Sequence, residues 1–123
     1  MRAAVLGVED FLIAKIKQHI ETKGYSVDRS LSTEDVLSQA KPDVVFCQYW
    51  EDNSVWDAEL VNRKLRSSPA HADVPLYLFC SGDLHIEAIK HFRQSQVISF
   101  ANLKDLLERI GKTLEALTMK SDA

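Results

Sequence analysis

Five short apolar runs, each followed by a stretch with helical spacing, constrain this chain more than any other feature. Residues 3–8 (AAVLGV) are apolar throughout, as a strand buried on both faces should be. Asp10 can cap a helix in which Leu12, Ile16 and Ile20 repeat every four residues, and Gly24 ends it. Residues 25–29 alternate into a second strand. Ser32, with Asp35 three residues on, makes a capping-box-like start for a helix through Val36 and Leu37. Pro42 stops that helix, and residues 44–47 form the third strand.

A polar loop follows. Residues 58–66 then read as a helix with Leu60, Val61 and Leu65 inward. Residues 67–73 form a loop, and Pro75 opens a fourth strand over 76–80, uniformly apolar and therefore central. Residues 86–92 are helical and 97–100 make a fifth short strand. In the last segment, 103–117, Leu103, Leu106, Leu107, Ile110, Leu114 and Leu117 share one helical face. Strict alternation with right-handed crossovers gives one α/β domain over residues 1–120, a parallel sheet with helices on both faces, and a tail at 121–123. Ligands of such folds sit at the carboxyl ends of the strands, so residues 7–10, 48–50, 80–83 and 99–102 are the positions to question.

Composition narrows the function. With 123 residues, 46 % apolar and 27 % charged, the chain can bury a core without staples. A net charge of −3 gives no electrostatic reason to expect nucleic-acid binding. No apolar run approaches the length of a membrane span, and MRAAVLGVED turns acidic too early for a signal peptide. Two cysteines, Cys47 and Cys80, make neither a disulfide framework nor a zinc motif. The expectation is a reduced, cytoplasmic protein with no metal and no cofactor. Only four glycines occur, and no phosphate-cradling loop is among them.

Several pieces together resemble the receiver domain of bacterial response regulators: VLGVED near the start, KGYSV after the first helix, KPDVVFCQ at the third strand, LRSSPAHADVPLYLF before and into the fourth, and NLKDLLERI in the last helix. PDVVF and the SSP…DVP run are the most specific, and the likeness spans nearly the whole chain. The resemblance implies a five-stranded flavodoxin-like fold with strand order 2-1-3-4-5. It also implies transfer of a phosphoryl group from a histidine kinase to an aspartate, with Mg²⁺ held by two acids after the first strand. A lysine after the fifth strand and a Thr or Ser after the fourth would bind the phosphoryl group.

The residues at those positions depart from the pattern. Gln48 falls at the acceptor position; it is isosteric with Glu but carries no charge and is no nucleophile. Cys80 stands where Thr or Ser is expected, with Ser81 adjacent. Ser99 takes the place of the lysine, Phe100 that of the following proline, and Gln96 that of the aromatic switch residue. Glu9 and Asp10 match the acid pair by local motif. A gapless register instead puts Gly7 and Val8 there and leaves Asp10 a plain N-cap. Both alignments stand at this point.

The same residues also have plain readings. Gln48 could be a solvated strand end. Cys80 could form a reactive pair with His85, but buried cysteines are commonly inert packing. Cys47 should point away from Gln48, whereas Cys80 should look into the site. Tyr49, Trp50 and Trp56 cluster in the loop after the third strand, as partner-binding anchors or as side chains filling a vacant pocket; filling suits Trp50, exposure Trp56. Lys90, His91 and Arg93 read as a solvated basic group, and His71 has no evident partner. The expected function is a receiver lacking its phosphoacceptor, not an enzyme. It would act in two-component signalling on a protein partner or effector domain, with the fourth helix, fifth strand and last helix offering a route to a homodimer. The alternative is a small-ligand-binding flavodoxin-like sensor.

Overall fold

A computed structural model describes residues 1–7, 9–29, 33–38, 41–49 and 58–122. The strands are β1 (Arg2–Leu6), β2 (Ser26–Arg29), β3 (Val44–Gln48), β4 (Leu76–Ser81) and β5 (Val97–Phe100). The helices are α1 (Asp10–Thr22), α2 (Thr33–Ser38), α3 (Ala58–Ser67), α4 (His85–His91) and α5 (Leu103–Asp122), with short 3₁₀ turns at Gly82–Leu84 and Gln94–Gln96. All strand pairs are parallel, in the order β2-β1-β3-β4-β5. This is the doubly wound, flavodoxin-like arrangement expected from the alternation.

The apolar runs build two cores because successive strand residues face opposite sides. Ala3, Val5, Phe46 and Phe79 lie with α1 and α5, whose Ile13, Ile16, Ile20, Leu106, Ile110 and Leu114 cover them. Ala4, Leu6, Val45, Cys47 and Leu78 face the other layer, covered by Val36, Val61, Leu65 and Phe92. Every residue of β3 is buried, so it is the spine of the sheet. Full burial of each large side chain contributes roughly 1.5–3 kcal/mol.

Several boundaries differ from the sequence reading. β1 stops at Leu6 rather than Val8, and β2 starts one residue after Tyr25. β4 extends to Ser81, because the parallel ladder continues past the last apolar side chain. Leu60, expected inward, is 38 % exposed; Val61 and Leu65 alone fill that face together with Ala58. α5 runs through Asp122, so residues 121 and 122, read as tail, continue the helix. Ser32, the expected cap of α2, lies outside the described residues.

Candidate functional site at the mouth of the sheet

The carboxyl ends of β1 and β3 meet where the strand order reverses. Leu6 pairs with Cys47, which brings Gly7 level with Gln48 on the α1–α5 face. Gln48 is 5 % exposed, and its Nε2 donates to Glu9 Oε1 at 2.9 Å. Glu9 occupies the N-cap position of α1, yet its side chain caps nothing in that helix. The carboxylate is turned to the Gln48 amide instead. Asp10, read as a cap from the sequence, is the first helical residue and lies exposed in the first turn, where its charge suits the helix dipole.

Gly7 completes this corner by lacking a side chain. A Cβ on it would stand 2.9 Å from Gln48 Oε1 and 2.6 Å from Ile13 Cδ1. The space that a side chain at residue 7 would need is filled by Ile13 Cδ1 and the Gln48 side chain. Both alignments of the first-strand acids therefore have a structural counterpart: Gly7 lies beside Gln48 in the floor, and Glu9 closes over it. Gly7 was not singled out for this role in the sequence reading, although the gapless register had already placed it at the site.

The other candidates are not gathered around Gln48. Ser81 and Ser99 line a separate cleft of about 480 Å³ at the ends of β4 and β5, with Asp83, Asp105 and Arg109. There Arg109 Nε donates to Asp105 Oδ1 at 3.0 Å, and that hydrogen bond holds the Asp105 carboxyl below the usual carboxylate range. Cys80 does not line the cleft. Gln48 pairs with Phe79, so alternation puts Cys80 on the opposite face of the sheet, beside Leu78, rather than looking into the site.

Cys80 is 2 % exposed, and burial alone pushes its thiol up to about 11. The buried His85 Nδ1 has no hydrogen-bond partner, so that nitrogen makes no bond to the thiol. Tyr49 continues the ladder through its N–H to Phe79 O at 2.9 Å, and its half-buried ring packs on the α3-side core. Trp50 and Trp56 lie outside the described residues. Among the described residues no group of three or more His, Cys, Asp or Glu side chains could hold a metal ion. A divalent cation of the Mg²⁺ type wants several oxygen ligands, and a neutral amide already bonded to Glu9 is a poor substitute for a carboxylate. These residues do not fit Mg²⁺.

No family model matches the chain, and no curated protein matches it. Solved structures do. The chemotaxis response regulator CheY4 of Vibrio cholerae superposes with a TM-score of 0.69 at 14 % identity, over 94 % of this chain and 97 % of that one. The phosphorylated cyanobacterial phytochrome response regulator RcpA gives 0.72 at 15 %, over 93 % and 91 %. NtrX from Brucella abortus gives 0.75 at 15 %, with 98 % of this chain matching 28 % of the longer protein. The fold is that of the flavodoxin-like receiver domains. Among the described residues no helix is long and apolar enough to cross a membrane.

Proposed function

We propose that this chain is a degenerate receiver of bacterial two-component, phosphorelay-type signalling. It works without phosphoryl transfer, through contacts with a protein partner or effector domain. The observation that carries this reading is the buried Gln48 amide bonded to Glu9 at the mouth. A carboxamide cannot accept a phosphoryl group at its oxygen as a carboxylate does, and here it is already bonded to the nearest acid, Glu9. Ser99 adds no cation to replace the missing lysine. The module is not an enzyme on this reading, since among the described residues no acid, base and nucleophile converge at the mouth.

Exposed apolar side chains favour a contact role. Ile86 is 68 % exposed and Ile89 37 %, three residues apart on α4 beside β5. They form a surface suited to a partner or to a second copy of the chain. Incubation with acetyl phosphate and Mg²⁺ followed by intact mass tests the central statement. The expected spectrum is unchanged, and a stable phosphoryl adduct overturns the proposal.

A further inference from the structure

We propose that the cleft between the α1–β2 turn and the C-terminal part of α5 binds a free apolar α-amino acid. This goes beyond the reading above and does not rest on it, because the cleft lies where the chain enters β2, whereas Gln48 lies at the carboxyl end of β3. Its volume of about 370 Å³ falls within the roughly 300–1,000 Å³ common for small-molecule sites. Leu114 forms an aliphatic floor and Met119, 73 % exposed, an adaptable thioether wall.

Three polar groups are set around that apolar surface. Gly24, at φ 87°, makes the turn that presents Lys23 and Tyr25 to the cleft. The Lys23 stem lies over α5 where Gly111 has no side chain; a Cβ there would be 3.5 Å from Lys23 Cε. Its Nζ ends 3.7 Å from Glu115 Oε1, longer than a good hydrogen bond, so each charge keeps bonding capacity. Tyr25 is 5 % exposed, and its hydroxyl lies 3.2 Å from Thr118 Oγ1. Thr118 gives its one proton to Leu114 O at 3.0 Å, so Tyr25 is the donor in that contact and retains its own acceptor lone pairs.

The cleft thus offers one cationic donor, one anionic acceptor and one neutral acceptor beside an apolar surface. A zwitterion satisfies all of them: carboxylate to Lys23, ammonium to Glu115 and Tyr25 Oη, and side chain against Leu114 and Met119. A simple carboxylate would face Glu115 unpaired, and a simple amine would face Lys23. Separating the exposed Lys23–Glu115 pair to admit the ligand costs little.

Titration of ¹⁵N-labelled protein with L-leucine and L-methionine, followed by NMR, tests the assignment, with isovalerate and isoamylamine as monofunctional arms. Saturable shifts confined to residues 23–25 and 114–119 are expected. Lys23→Gln and Glu115→Gln, both at exposed charges, should each weaken binding by about tenfold or more through loss of one charge-assisted hydrogen bond. No saturable shift, shifts centred on the mouth, equal binding by either monofunctional compound, or unchanged affinity in both variants would overturn it. None of these results bears on the acetyl phosphate experiment.

Discussion

Gly7 leaves one volume that Ile13 and Gln48 fill together. Gly7→Ala places a methyl group 2.6 Å from Ile13 Cδ1 and 2.9 Å from Gln48 Oε1. We expect overpacking of about 1–3 kcal/mol in urea unfolding. Ile13→Val removes the nearest atom, so the double variant should recover part of that loss, measurable as a coupling energy in the cycle. Additive effects of the two substitutions would contradict the shared volume. Cys80 makes a second prediction at this scale. Its folded thiol, at about 11 against an ordinary 9.0, keeps its proton where the unfolded chain loses it. The resulting stability is complete below pH 9 and lost as pH rises through about 11. A pH series of unfolding free energies should fall over that window for the native chain and flatten for Cys80→Ala. At neutral pH a thiol probe should label Cys80 only after unfolding.

The helices carry their load unevenly, in a way the periodicity of apolar residues only half reveals. On α5 the face Leu106, Ile110, Leu114 is fully buried, while Leu103, Leu107 and Leu117 flank it half-covered. Leu106→Ala should cost about 2–5 kcal/mol through cavity formation, whereas Ile86→Ala at an exposed position should stay within about 0.5 kcal/mol; chemical denaturation of both variants is the check. Strands, helices and their order were legible in the sequence because burial on both faces forces continuous apolar runs and amphipathic helices force a repeat near four. Strand ends were less legible. Ladder hydrogen bonds carry Gln48 and Ser81 into the sheet although neither is apolar. Phase was the least legible, as Cys80 demonstrates: a uniformly apolar strand has no alternation from which to read its facing. The Glu9–Gln48 bond joins residues 39 apart, and no local pattern encodes a contact of that kind.

At the level of the whole molecule, the mouth is divided. Its β1–β3 half is closed by the hydrogen bond from the Gln48 amide to Glu9, and its β4–β5 half is an open cleft with carboxylates at its rim. A native state that does not bind a divalent cation gains no stability from one by mass action, and a neutral amide at residue 48 makes the mouth a poor site for Mg²⁺. Adding millimolar Mg²⁺ should therefore leave the melting temperature unchanged, and a saturable rise would show that Glu9 recruits ligands beyond those seen here. The exposed ion pairs Lys41–Asp73 and Lys64–Glu34 hold both carboxyls below their ordinary range. Their stabilisation is present at neutral pH and lost as the solution is acidified through that lowered range. Both carboxylates are in water, so the acid limb of the stability profile should be shallow.

The placement of α5 also bears on how the chain is made. Phe46 and Phe79 lie on the face that α1 and α5 cover together, and α5 follows every strand of the sheet in chain order. During synthesis from the amino end, that aromatic surface has only half its cover until residues beyond 103 leave the ribosome. A nascent chain stalled before that point would present a sticky sheet to the cell and invite chaperones. Completion of the last helix is the event that turns a vulnerable intermediate into a finished domain.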